Sequence, residues 1–273
     1  MNYVTTNDKT KLYFKSWGTG RPVVLLHGWP LSSDSWDDQA MALAKAGYRA
    51  IAYDRRGFGR SSQPWSGYDY DTLADDLAAV IEQTEAKDAT IVGFSMGGGE
   101  VARYMSRHGG KAVVQSALIS SVVPFMLKTH SNPLGTEQSV FDEMAMGMNA
   151  DRAKFFGEFF KDFFGTGLPA LSISHELLEW ARDVSLQASL PATLECAKAF
   201  TNTDFRGDLA AFNVPTLIIH GTLDKTVPID AAGRAAARAI PQSAFIEYEG
   251  APHGLFATHK QRLTHDLLTF LAA

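Results

Sequence analysis

A serine set between glycines carries the strongest chemical signal in this chain. Gly93-Phe94-Ser95-Met96-Gly97 follows an apolar run, Thr90-Ile91-Val92, and precedes a helix-like stretch from Gly98 to His108. In that setting the glycines allow a tight strand-to-helix turn, which holds Ser95 in a strained conformation with its hydroxyl exposed. The helix N-terminus adds N–H groups and a positive dipole end beside it. A serine hydroxyl is a weak nucleophile at neutral pH and needs a base. His253 fits that need: it lies in Ala251-Pro252-His253-Gly254, a loop after the apolar run Ala244 to Tyr248. Among the other histidines, His27 and His220 each precede a glycine at a strand end and read as structural or loop-shaping. His259 and His265 fall on the last helix as solvated residues, and His108, His130 and His175 have no supporting context.

The base needs a carboxylate to orient it. Asp224 follows the run Thr216 to Ile219, in His220-Gly221-Thr222-Leu223-Asp224. Its rivals are Asp54, Asp204 and Glu249; Asp54 precedes Arg55 and Arg56, which suits an ion pair or loop brace. An acyl-transfer intermediate also needs two donors for its oxyanion. The Met96 N–H, directly after the nucleophile, is one, and the Trp29 N–H in His27-Gly28-Trp29-Pro30 is the best candidate for the other. Pro30 has no N–H and cannot serve. The order Ser95, Asp224, His253 is that of the α/β hydrolases.

The elements that must position these residues are visible as short runs rich in Val, Ile and Leu. Val23 to Leu26, Ala50 to Tyr53, Thr90 to Gly93, Val113 to Ile119, Thr216 to His220 and Ala244 to Tyr248 are each too short for core helices. They suit strands buried on both faces of a parallel sheet. Between them lie helical spacings: Asp71 to Glu82 with Leu73, Leu77, Val80 and Ile81 on one face, the alanine-rich Ala231 to Ile240, and Leu263 to Leu271. The alternation predicts βαβ units. It breaks after Val123 and resumes at Val214-Pro215-Thr216. The expectation is a core of residues 1–123 and 214–273, split by a helical cap, 124–213. In the cap, Phe155, Phe156, Phe159, Phe160, Phe163 and Phe164 follow helical spacing. One face can be plain core while the other lines a pocket over the carboxyl ends of the strands.

Composition narrows the function classes. The chain has 273 residues, 45% of them hydrophobic, and a formal net charge of −5. With no basic block, nucleic acid is not the expected partner. Cys196 is the single cysteine, so an internal disulfide and a cysteine-based metal site are excluded, and it reads as a small buried thiol. The longest apolar runs fall far short of the roughly 20 residues needed to span a bilayer. Met1-Asn2-Tyr3-Val4 shows no basic n-region leading into an apolar stretch. The expected place is the cytoplasm, without a membrane partner.

Taken together, His27-Gly28-Trp29-Pro30, Asp54-Arg55-Arg56-Gly57-Phe58-Gly59-Arg60-Ser61, Gly93-Phe94-Ser95-Met96-Gly97-Gly98-Gly99-Glu100 and Ala251-Pro252-His253-Gly254 resemble the cofactor-free haloperoxidase and arylesterase branch of the α/β hydrolases. The resemblance runs from the first strands to the final helix; the cap matches mainly in length and phenylalanine content. It implies a mostly parallel eight-stranded sheet with helices on both faces. It also implies a Ser–His–Asp esterase whose acyl-enzyme passes its acyl group to water or to hydrogen peroxide, with no cofactor and no metal. Serine at position 95 separates it from relatives that use aspartate there. The resemblance further implies that Val122 and Met126 face the acyl pocket with Trp29 and Val227, and that Phe159 and Phe163 contribute from the cap. Met126 stands where several relatives carry an aromatic residue.

Pro30 bears on the acceptor. Haloperoxidase-like members commonly have proline there and close esterases leucine. Pro30 restrains Trp29 toward an extended conformation, which can bring the Trp29 carbonyl toward the acyl-enzyme to accept a hydrogen bond from the second peroxide oxygen. The plain alternative is that it shapes a turn. The leading reading is a carboxylesterase for small acyl or aryl esters with perhydrolase activity. The alternatives are a lactam or amide hydrolase on the same residues, a C–C bond hydrolase, for which no arginine-rich clamp is visible, and a hydrolase-fold receptor. A homo-oligomer is compatible with the family.

Overall fold

The computed structural model describes residues 2–169 and 171–273. Its sheet is built from β1 (Tyr3–Thr5), β2 (Lys11–Trp17), β3 (Pro22–Leu26), β4 (Arg49–Tyr53), β5 (Ala89–Phe94), β6 (Val113–Ile119), β7 (Thr216–Gly221) and β8 (Ala244–Tyr248). The spatial order is β1-β2-β4-β3-β5-β6-β7-β8. β1 and β2 run antiparallel to their neighbours, and every pairing from β4 through β8 is parallel. All residues of β3, β5 and β7 are buried, as strands covered on both faces require.

The helices are α1 (Asp37–Lys45), α2 (Tyr70–Gln83), α3 (Met96–Arg107), α4 (Gln138–Phe164), α5 (His175–Leu186), α6 (Leu190–Asn202), α7 (Gly233–Ala239), α8 (Leu255–Thr258) and α9 (Lys260–Ala272). Against the core, α1 packs with α9 and α2 with α3. α2 begins where the Asp69 carboxylate accepts the Thr72 N–H at 2.9 Å, an N-cap that satisfies one free donor of the first turn. Its Leu73, Leu77, Val80 and Ile81 are buried on one face.

β1 and β2 are additions to the strands read from the sequence. In β1 burial alternates, with Val4 inward and Tyr3 and Thr5 outward, whereas in β2 only Leu12 and Lys15 are buried and the rest are partly or fully exposed. Partly solvated strands of this kind carry no continuous apolar run.

Between β6 and β7 lie α4, α5 and α6. α4 bends at Asp151, whose backbone leaves helical geometry (φ −158°, ψ 92°). The Asp151 carboxylate accepts the Lys154 N–H at 2.9 Å, so it caps the second arm as an N-terminus. That arm carries the phenylalanines: Phe156, Phe160, Phe163 and Phe164 are fully buried, while Phe155 and Phe159 are partly buried. Among the described residues no helix is long and apolar enough to cross a membrane.

Candidate active site

Ser95 stands between β5 and α3 with φ 54° and ψ −118°, a conformation that costs a non-glycine residue about 1–3 kcal/mol. The flanking sequence makes the turn possible. A Cβ on Gly93 would lie 2.4 Å from the Gly97 carbonyl oxygen, and one on Gly97 would lie 2.6 Å from that of Leu26. Side chains there would push α3 off the strand ends.

The Ser95 Oγ lies 2.9 Å from His253 Nε2, and His253 Nδ1 lies 2.6 Å from Asp224 Oδ2. Because the carboxylate can only accept, Nδ1 carries the hydrogen and Nε2 is free to accept from the serine hydroxyl. The second Asp224 oxygen accepts the Thr226 and Val227 N–H groups at 2.9 and 2.7 Å, closing a turn that aims the carboxylate at the imidazole. Burial opposes ionisation of Asp224, but the charge of His253 and the hydrogen bonds from His220 and His253 outweigh it, so the carboxyl titrates at about 2.

His253 is fully buried. Its ring lies 5.0 Å from that of Phe94 and 4.8 Å, edge to face, from that of Phe163. These rings cover the imidazole on the sides away from Ser95 and Asp224. The Gly254 N–H donates to the Phe163 carbonyl at 2.8 Å, which ties the histidine loop to the end of α4.

The loop after β3 brings Trp29 to Ser95. Gly28 is required there, since a Cβ would meet the Phe94 ring at 2.7 Å and Ser95 Cβ at 3.1 Å. Pro30 follows Trp29 across a cis peptide bond. Among the described residues, neither the Trp29 nor the Met96 backbone N–H is engaged by an acceptor. The loop is braced from below by His27, whose Nε2 accepts the Arg55 N–H at 3.0 Å while Nδ1 donates to the Gly28 carbonyl at 2.9 Å. Burial and the nearby Arg55 guanidinium push the pKa of His27 down to about 3. Arg55 in turn donates to the His27 carbonyl at 2.6 Å and to Glu100 at 2.6 Å, and Tyr53 donates to the other Glu100 oxygen at 2.7 Å. This fully buried ion pair joins the loop to α3.

A cavity of about 210 Å³ opens onto Ser95. Trp29, Val122, Met126, Phe159 and Val227 line it. Phe163 does not; the expectation that it joins Phe159 in the pocket needs correcting. It lies one turn further along α4, where the helix reaches the histidine loop, so its ring meets His253. Thr136, Val140, Phe141, Met144 and Phe200 complete most of the apolar wall. Val140, Phe141 and Met144 share one helical face, a usable signal; Phe200 on α6 reaches the wall only through tertiary packing. At the cavity edge Lys225 and Asp162 pair at 3.0 Å, both about two-thirds exposed, an arrangement worth about 0–1 kcal/mol.

Trp29 links the loop after β3 to α4 and α6. Its indole N–H donates to the Thr193 carbonyl on α6 at 3.0 Å, and its rings meet Phe156, Phe159 and Phe200 edge-on at 5.5–5.6 Å.

The remaining candidates lie elsewhere. Asp54 is buried and engaged by Ser33 and Arg60, Asp204 pairs with Arg206, and Glu249 is exposed. Burial pushes the Cys196 thiol up to about 12. His259 is half-buried, not solvated: it stands just before α9 and its ring lies 5.8 Å from Tyr248. His220 is a residue that sequence reasoning missed as part of the site, for its Nε2 lies 3.2 Å from Asp224 Oδ2. Among the described residues no group of three or more His, Cys, Asp or Glu is placed to hold a metal ion.

Comparison with known proteins agrees with this architecture. Residues 21–260 match the alpha/beta hydrolase fold family. The chain is 41% identical over 273 residues to the non-heme chloroperoxidase CPO-A1 of Kitasatospora aureofaciens, covering 99% of both. It is 40% identical over 275 residues to the bifunctional esterase/perhydrolase DCH of Acinetobacter calcoaceticus, again covering 99% of both. The crystal structure of a bromoperoxidase from Bacillus anthracis superposes with a TM-score of 0.95 at 45% identity, covering 99% of both chains. With its eight-stranded, mostly parallel sheet, the chain belongs to the alpha/beta hydrolase fold family.

Proposed function

We propose that this protein is a serine carboxylesterase for small acyl and aryl esters, working through an acyl-enzyme that either water or hydrogen peroxide can discharge. The observation that carries this reading is the unbroken hydrogen-bond chain Ser95–His253–Asp224 at the edge of an apolar cavity. Ser95 Oγ attacks the ester carbonyl while His253 Nε2 takes its proton. Asp224 stabilises the imidazolium, and the Trp29 and Met96 N–H groups receive the oxyanion. Removing one such donor typically costs ~10²–10³ in turnover. His253 then returns the proton to the leaving alcohol. In the second half, His253 takes a proton from water or peroxide, which attacks the acyl carbon; peroxide yields a peracid.

Trp29, Val122, Met126, Phe159 and Val227 form the acyl pocket in this reading, and residues 124–213 act as a lid on the core formed by 1–123 and 214–273. A cytoplasmic location belongs to the same reading, in keeping with a single buried thiol.

The test supplies purified protein with a small aryl acetate and hydrogen peroxide, and quantifies acetic and peracetic acid together. Both products should appear, and both should vanish in Ser95→Ala. Acid without peracid would leave a plain esterase. Turnover that persists in Ser95→Ala would remove the proposed nucleophile.

A further inference from the structure

The wall of the cavity at Ser95 contains two thioethers, those of Met126 and Met144. Met126 is 3% exposed, so its sulfur is screened from bulk solvent, and Met144 is partly buried. Two residues along α4, Met146 is 63% exposed and does not line that cavity. Met41 on α1, 48% exposed, is likewise remote from it. Among the described residues, Met126 and Met144 thus line the cavity and Met41 and Met146 face solvent, while Met96, Met105 and Met148 are buried without lining it.

We infer that Met126 and Met144 are the sites at which this protein is oxidised by its own peracid. The inference rests on the perhydrolase reading above, because it needs a peracid released beside Ser95. A thioether is a soft nucleophile whose reaction with a peroxy acid is a simple oxygen transfer. The sulfur lone pair attacks the terminal peroxy oxygen, the O–O bond breaks, and the S–O bond forms. The peroxy proton passes to the departing carboxylate oxygen. Sulfur loses two electrons, and the peracid is reduced to the parent carboxylic acid. No further reactant is required.

Two physical effects favour the cavity pair over the exposed pair. The peracid forms inside a space of about 210 Å³, so each molecule meets the wall before it is diluted by solvent. Confinement of this kind raises effective concentration by orders of magnitude. Hydrogen peroxide added from solution shows the reverse preference, because exposure governs oxidation by a bulk reagent. The consequence falls on the enzyme itself. A sulfoxide is polar and chiral where a flexible apolar side chain stood, so the wall loses its match to small acyl groups. Activity then declines with the number of peracids made rather than with time in peroxide.

The experiment incubates the protein with an aryl acetate and hydrogen peroxide, follows peracid and remaining activity, and maps methionine sulfoxide by peptide mass spectrometry. Parallel samples contain peroxide alone, and Ser95→Ala with peracetic acid added from outside. With ester and peroxide together, sulfoxide at Met126 and Met144 should exceed that at Met146 and Met41 by roughly tenfold or more. In both parallel samples Met146 and Met41 should lead. The double variant Met126→Leu/Met144→Leu, whatever its starting rate, should lose a smaller fraction of that rate per peracid formed. If peracid accumulates while the cavity methionines do not lead, or the double variant decays as fast per peracid, the inference is overturned and the perhydrolase reading stands. If no peracid forms at all, that reading falls and takes the inference with it.

Discussion

His220 Nε2 lies 3.2 Å from the Asp224 oxygen that also accepts the Nδ1–H of His253. The same Nε2 is 2.8 Å from the Val227 carbonyl. A carbonyl can only accept, so Nε2 carries a hydrogen and shares it between Val227 and Asp224. His220 Nδ1 is buried without a partner. The side chain thus works on the carboxylate through one edge alone, fixing the oxygen that orients His253.

Replacement of His220 tests this positioning role. Hydrogen bonds to charged groups are worth about 1.5–3 kcal/mol. His220→Leu should therefore lower kcat by roughly ten- to a hundredfold, with KM little changed because His220 does not line the substrate cavity. His220→Gln, whose amide N–H can reach the same oxygen, should recover most of the loss. Steady-state kinetics of the two variants decides it: equal losses in both would reduce His220 to a packing residue.

Pro30→Leu addresses the acyl acceptor. The expected result is a lower ratio of peracetic to acetic acid, with ester hydrolysis retained, because the restraint on the Trp29 carbonyl is released. An unchanged ratio would leave Pro30 with turn-shaping alone.

Glu100 should prove a stability residue. It accepts from Arg55 and Tyr53 with no exposure of its own. Glu100→Ala strands the Arg55 guanidinium in the core, and breaking a buried pair from one side costs about 3–5 kcal/mol. Thermal unfolding should show the midpoint lowered by roughly 10 °C. A shift of only a degree or two would mean that water or a neighbour takes over from the carboxylate.

His27 makes stability depend on pH in the acid range. Burial and Arg55 hold its folded pKa at about 3, below the ordinary 6.5. The unfolded chain takes up a proton that the folded one refuses. Its stabilising contribution is therefore complete above 6.5 and declines as pH falls toward 3. Denaturant titrations across that range should show a steeper pH slope for the native protein than for His27→Gln, whatever the variant's stability at neutral pH. Parallel slopes would assign the acid sensitivity to other groups.

Much of this candidate site is legible in the sequence because each of its residues sits where a strand ends in a turn with its own chemistry. Ser95, Asp224 and Trp29 follow strands whose continuous apolar runs announce them, whereas His253 follows β8, which Glu247 interrupts and which is only partly buried. β1 and β2 lack such runs because polar and partly exposed residues interrupt both. Phe159 and Phe163 show a different limit. Spacing of four places them on one side of α4, but only the path of the helix decides that one ring reaches the cavity and the next reaches the imidazole. His220 was legible as a strand-end residue, yet its contact with Asp224 arises from a turn whose closure the sequence does not spell out.

In the proposed mechanism Trp29 offers the oxyanion its backbone, while its side chain is held by α4 and α6. A bulky ester that forces α6 outward pulls on the Thr193 hydrogen bond, and the strain passes through one residue to the donor nearest the reacting carbonyl. Oversized esters would then be admitted and held, yet react slowly. Discrimination by size would register in kcat more than in KM, so the enzyme would judge its substrates by how well they leave the roof undisturbed at the moment of bond-making.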